Sequence, residues 1–262
     1  MHDPSASVQF LALGLTLAFS WAFQVKEYRT EKVTEGPFGR PVIYFKQGAK
    51  IISPWHEIPL YARDGNLHYI CEIPKWTSAK MEVAIDEECT PIKQDVNDKG
   101  LRFYPIPSNW NYGLLPQTWE DPDQKHQKLG VGGDKDPVDV MEISSKAHHQ
   151  GDVYEVKPLG VYAVIDGGKL DWKVIAISLD DPLAELVNDA ADIEMHLPGE
   201  LEAIKIWLSK YKESEGISLI KFGYHGKCLD RKSAQEVINE THELYGALKS
   251  GARLHDGNLS LI

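Results

Sequence analysis

Cysteine is scarce. There are three, Cys71, Cys89 and Cys228, far apart and with no C-x-x-C pair. That excludes a disulfide framework and a cysteine zinc site, and leaves reduced thiols in core or surface positions. Basic charge is also short: Lys and Arg number 28 against 39 Asp and Glu, a net charge of −11. A nucleic-acid binder would carry a basic footprint, so no nucleic acid is expected as a partner. No H-E-x-x-H, Walker A or G-x-G-x-x-G occurs, since the glycines of "GVGGDK" have the wrong spacing. The apolar segment 8–23 is shorter than the about 20 residues that cross a bilayer. It has the length of a signal-peptide core, but His2 and Asp3 stand where a positive flank belongs. Membrane association is not expected, and the segment reads either as a targeting element or as a packed N-terminal one.

What is present is an ordinary globular composition, 42% hydrophobic and 26% charged. From residue 40 onward, short alternating or apolar runs are broken by Pro, Gly and Asp. "PVIYF" (41–45), "LHYICEI" (67–73), "KMEVAI" (80–85), "LRFYPI" (101–106), "VDVMEI" (138–143), "LGVYAVI" (159–165) and "WKVIAISL" (172–179) each read as a strand. Such a series predicts a closed or nearly closed antiparallel barrel. The C-terminal third changes period. Pro198-Gly199 opens a helix with Leu201, Ile204, Leu208 and Tyr211 on one face. A second has Ser233 as its cap, Val237, Ile238, Thr241, Tyr245 and Leu248 aligned, and Gly251 beyond its end. The reading is α+β: a β core with C-terminal helices, and no linker or repeat dividing it.

The chemistry gathers in "GDKDPVDVMEI" (133–143), where Asp134, Asp136 and Asp139 fall within six residues. A calcium loop does not fit: Val138 fills the fifth position, Asp139 replaces the glycine and Ser145 the closing glutamate. A solvated acidic turn is the plain alternative. Against it stand charged residues on other strands. Lys80 and Glu82 share one face opposite Met81 and Val83, and Asp171 and Lys173 share one opposite Trp172 and Val174. Arg102 sits between Leu101 and Phe103, and Glu72 and Asp166 close two further runs. Together they imply a polar cavity holding both signs of charge. Hard oxygen ligands suit magnesium, manganese or calcium, and interleaved Lys and Arg suit a phosphate-like anion. That combination is the equipment of metal-assisted phosphoryl transfer to water.

These residues also carry a resemblance. "GDKDPVDVMEI" resembles the D-x-D-P-x-D-V signature of the soluble family I inorganic pyrophosphatases. "SPWHEIPLY", "EIPKWTSAKMEV", "PIKQD" with "KGLRFYP", "NYGLLPQTWEDP", "DWKVIAISLDDP", "LVNDAADIE" and "INETHELY" resemble the eukaryotic branch in order and spacing. The resemblance spans roughly residues 40–250 and is nearest to plastid-type and protist members. It implies an OB-like closed barrel with appended helices, and Mg2+-dependent hydrolysis of pyrophosphate to two orthophosphates by a metal-activated water. Residues 1–39 would be an N-terminal extension and 40–262 the catalytic domain. Asp134, Asp139 and Asp171 match ligands of the metals flanking that water, and Asp136 matches the proton acceptor. Glu82, Glu120, Asp166 and again Asp171 match ligands of the metals that accompany substrate, and Glu72 a further cavity acid. Lys80, Arg102, Tyr112, Lys173, Tyr211 and Lys212 match substrate and product contacts. The segment between Arg102 and Tyr112 is shorter than in animal and fungal members, and 213–218 reads "ESEGIS".

Eight carboxylates against four cations leave this set at about −4, which would repel pyrophosphate unless several divalent cations bind with it. Mg2+ is expected, with Mn2+ or Zn2+ as substitutes. The resemblance further implies a homo-oligomer, dimer or higher. Plastid, acidic organelle and cytoplasm all stay open as compartments. The altered 213–218 loop motivates an alternative: hydrolysis of short polyphosphates or nucleoside triphosphates with Zn2+ or Mn2+. A catalytically idle scaffold would have lost metal-ligand positions, and none of those expected is lost.

Overall fold

The computed structural model describes residues 28–36, 38–62, 64–211, 220–255 and 257–262. The apolar segment 8–23, Lys212 and the 213–218 loop lie outside the described residues. In chain order the strands are β1 (Tyr28–Glu35), β2 (Arg40–Gln47), β3 (Lys50–Ile52), β4 (Leu67–Ile73), β5 (Met81–Val83), β6 (Ile92–Gln94), β7 (Val96–Asn97), β8 (Gly100–Leu101), β9 (Asn111–Leu114), β10 (Asp139–Glu142), β11 (Val153–Asp166), β12 (Lys169–Ser178) and β13 (Lys221–Phe222). The helices are α1 (Ala190–His196), α2 (Glu200–Lys210) and α3 (Arg231–Lys249). The architecture is α+β.

Two sheets matter for function. In one, β1, β2, β6 and β5 pair in that order, with β3 on β2. In the other the order is β12, β10, β9, β4, β11, β13, and β11 also pairs with β12. The pairings therefore return on themselves around five strands. The set is not wholly antiparallel as expected: β10 and β12 run parallel, Asp139 beside Lys173. The intervening β11 makes the crossover that parallel neighbours require. The strand expected over 101–106 is reduced to β8 and a single bridge between Ala79 and Phe103. Two prolines, Pro105 and Pro107, remove the amide donors that would extend it.

The inward face of the five-strand circuit is divided along its length. At one end it is apolar: Ile70, Leu114, Met141, Ile175 and Ile177 pack with Phe45, Trp55 and Trp119. At the other end the same alternation brings Glu72, Tyr112, Asp139, Asp171 and Lys173 inward. The outward face, with Cys71, Val140, Val161, Val174 and Ala176, packs on Ala234, Val237 and Ile238 of α3. Each valine or isoleucine buried there stabilises by about 1.5–3 kcal/mol. The α3 face is the expected one, but the cap is not Ser233. Asp230 is the cap, accepting from Ser233 N (2.8 Å) and Ser233 Oγ (2.6 Å), so the helix begins a turn earlier.

Candidate active site

A cavity of about 340 Å³ opens at the polar end, lined among others by Glu72, Lys80, Glu82, Tyr112, Asp134, Asp136, Asp139, Asp171, Lys173 and Tyr211. Strands supply most of these. Asp139 is the cross-strand neighbour of Lys173, and Glu82 of Lys93. The "DKDP" turn supplies Asp134 and Asp136 and is tied to the segment after Trp119. Glu120 N donates to Asp136 O (3.0 Å), Lys135 N to Glu120 O (2.9 Å) and Gly133 N to Asp121 O (2.9 Å). Glycine is required at 133, because a Cβ there would lie 2.3 Å from the Glu120 carbonyl carbon and oxygen.

Three carboxylates share one space. Oxygens of Glu120, Asp134 and Asp171 all lie within 4.8 Å of one another. Glu120 Oε1 accepts Trp172 N–H at 2.8 Å, while Glu120 Oε2 is buried with no hydrogen-bond partner. Asp171 Oδ1 lies 2.6 Å from Lys173 Nζ, an ion pair, but without hydrogen-bond alignment. A buried carboxylate oxygen without a hydrogen-bond partner, facing two further carboxylates, fits a hard divalent cation. Asp139 is held differently. It accepts from Tyr112 OH (2.5 Å) and pairs with Lys173, which is 1% exposed and also bonds Tyr112 OH at 2.9 Å.

Electrostatics follow from this crowding. Burial, then Asp134 and Asp171, push Glu120 well up from the usual carboxylate range. Burial raises Asp171 to about 8, against the pull of Lys173. Glu72 rises through burial and Asp139, while its Oε1 accepts Val83 N–H at 2.7 Å and so ties β4 to β5. Asp136 rises through enclosure, then Asp134 and Glu82. The surface that Asp136 exposes faces the cavity. Lys173 moves up: burial opposes, and the Asp139 and Asp171 carboxylates prevail.

Arg102 joins the site indirectly. It pairs with Asp95, whose Oδ2 also accepts from Lys80 Nζ at 2.8 Å, and Lys80 pairs with Glu82. Asp166 closes β11 opposite Lys169 and is not among the lining residues, although its charge is felt at Tyr211. Sequence reasoning did not assign Asp95, Tyr104 or Arg40. Tyr104, from the short segment after Arg102, is buried on the cavity wall with its ring 5.5 Å from that of Tyr211. The signal for Asp95 was within "PIKQD", already noted but given no role.

A family model described as inorganic pyrophosphatase matches residues 69–246. The chain is 61% identical over 220 residues to soluble inorganic pyrophosphatase 1, chloroplastic, of Chlamydomonas reinhardtii, covering 84% of this chain and 79% of that one. It is 49% identical over 221 residues to soluble inorganic pyrophosphatase 6, chloroplastic, of Arabidopsis thaliana, with 84% and 73% covered. Among solved structures, the truncated vacuolar soluble pyrophosphatase of Trypanosoma cruzi in complex with PPi superposes with a TM-score of 0.80 at 38% identity, over 94% of this chain and 100% of that one. The matched region carries every acid that converges on the cavity, and at this identity over most of both chains the conclusion is that the protein belongs to the inorganic pyrophosphatase family.

Proposed function

We propose that the protein hydrolyses inorganic pyrophosphate to two orthophosphates with divalent cations, Mg2+ foremost, held among its cavity acids. The observation that carries the metal reading is the unpartnered, buried Glu120 Oε2 beside Asp134 and Asp171. These three would hold one cation, and Asp139, Glu82 and Asp166 are the further acids assigned to metals. When bound, such cations neutralise phosphoryl oxygens and make a nearby water more acidic.

The chain's own residues do the rest. Asp136, set on the turn braced by Glu120, takes the proton of the attacking water on a carboxylate oxygen. Lys80 and Lys173 bind and orient the phosphoryl oxygens, and Arg102, held by Asp95 behind Lys80, is the further cation assigned to them. Tyr112, Tyr211 and Lys212 are assigned to further contacts with substrate and product. Glu72 keeps β4 and β5 together beneath Glu82. The circuit of strand pairings supports an OB-like barrel as the core. We assign residues 40–262 to the catalytic domain, with β1 laid along β2. Exposed Trp76 (63%), Phe103 (56%) and Ile106 (49%) favour self-association. The two chloroplastic relatives favour a plastid location.

The test is phosphate release from pyrophosphate, tripolyphosphate and ATP, each with Mg2+, Mn2+ and Zn2+. Mg2+ with pyrophosphate is expected to be the fastest pair, and chelation to abolish release. Any other fastest pair overturns the reading.

A further inference from the structure

A third cation lines the cavity beside Lys80 and Lys173: Arg40, the first residue of β2. Val42 pairs with Lys93, and Lys93 with Glu82. Arg40 is two residues from Val42, so Arg40, Lys93 and Glu82 share one face of the β2–β6–β5 wall. The other cations here are engaged by carboxylates. Lys93 bonds Glu35 (3.0 Å) and Glu87 (2.8 Å), Lys80 is held by Glu82 and Asp95, and Lys173 by Asp139 and Asp171. Arg40 makes no ion pair among the described residues. Its Nε donates to a neutral acceptor, the Gln94 carbonyl, at 2.5 Å. That bond fixes the guanidinium and leaves its terminal nitrogens, the fork that matches phosphate oxygens in pairs.

Glu35, opposite Arg40 across the β1–β2 pair, is itself taken by Lys93 and Tyr44, which leaves the Arg40 fork for an anion in a cavity read as binding a polyanion. We propose that Arg40 is a phosphate-contacting residue, taking oxygens of the condensed-phosphate substrate at the β2–β6–β5 wall. The proposal rests on the substrate reading above. It adds a contact from outside the matched region 69–246. The groups facing Arg40 are Glu35, directly opposite it across the β1–β2 pair and lowered in pKa by its charge among others, and the lining acids Glu82, Asp86 and Glu87. The competing role is therefore charge balance within the wall.

Arg40→Gln and Arg40→Lys in the full chain separate the two roles. Binding of methylenediphosphonate, a non-hydrolysable analogue, is measured by calorimetry with Mg2+, beside KM and kcat for pyrophosphate and a thermal melt. In Arg40→Gln the analogue is expected to bind about tenfold more weakly and KM to rise by a similar factor, while kcat changes by about twofold or less. Arg40→Lys, with the charge but not the fork, is expected to fall between. Unchanged analogue affinity in a folded Arg40→Gln protein overturns the proposal. If Arg40→Gln does not fold, wild-type affinity in Arg40→Lys overturns the paired contact. A wild-type protein that neither binds the analogue nor hydrolyses pyrophosphate overturns the substrate reading, and Arg40's role with it.

Discussion

Asp136 is held in a way that suits one task. Its N–H donates to Asp134 Oδ1 at 3.0 Å, and its carbonyl accepts Glu120 N–H at 3.0 Å. Lys135 before it adopts φ 87°, a left-handed conformation that costs a non-glycine residue about 1–3 kcal/mol and that the surrounding bonds enforce. The turn thus spends backbone energy to present one carboxylate to the cavity. Asp136→Asn keeps the shape and removes the proton acceptor. It is expected to lower kcat by about a hundredfold or more, while cation affinity measured by calorimetry stays within a few-fold. An unchanged kcat would place the proton acceptor elsewhere. At this scale the acids of "GDKDPVDVMEI" were legible, because three carboxylates so near one another need a reason. Asp95 was not. Its role comes from Lys80 and Arg102 converging on it from separate strand ends, and no local pattern in the chain encodes that convergence.

Among the elements, β4, β12 and the second half of β11 were plain in the sequence because burial on both faces gives dense apolar runs such as "VIAI" (174–177). The first half of β11, with Glu155, Lys157 and Pro158, was not read. Short β6 and β9 went unread: three- and four-residue strands carry no period of their own and are set by their neighbours. Helix α1 was missed for the same reason, since seven residues and an Asp189 capping box leave little amphipathic signal. One inter-element tie was invisible as well. Past α3, Arg253 Nε pairs with Asp121 Oδ2, whose side chain has 0% exposure. Asp121 follows Glu120 and accepts Gly133 N–H on its carbonyl, so this pair anchors both sides of the Glu120–Asp134 contact to the end of a helix. Arg253→Met would leave a buried carboxylate unpaired, which costs about 3–5 kcal/mol where both partners are buried. With Arg253 34% exposed, we expect about 2 kcal/mol in urea unfolding, together with about fivefold weaker cation binding. Arg253→Lys should recover part of both. Weaker stability with unchanged cation affinity would make the pair structural alone.

The whole molecule is drawn together at His56. Its Nε2 lies 2.9 Å from the Ser260 carbonyl and so donates, which leaves Nδ1 to accept from Tyr245 OH at 3.0 Å. The ring stacks on Trp55 at 4.4 Å. One neutral imidazole therefore joins the 53–57 segment, α3 and the C-terminal strip, and that strip in turn bonds Ile85 and Cys89 beside the cavity wall. Burial lowers the His56 pKa to about 4, with Lys249 adding to the shift and the Ser260 carbonyl and Glu57 opposing it. The sign follows. Between the unfolded value of about 6.5 and the folded value of about 4 the unfolded chain binds more protons at this site, so stability falls as pH falls through that window. At about 1.4 kcal/mol per unit, the loss from this one group approaches 3 kcal/mol. His56→Gln removes that term and leaves every other titrating group in place. The stability difference between wild type and His56→Gln, from urea unfolding at a series of pH values with cation held constant, should be flat above pH 7 and shrink by about 3 kcal/mol down to pH 4. A difference that stays constant across the series would mean that the ring titrates normally and does not act as a neutral clasp.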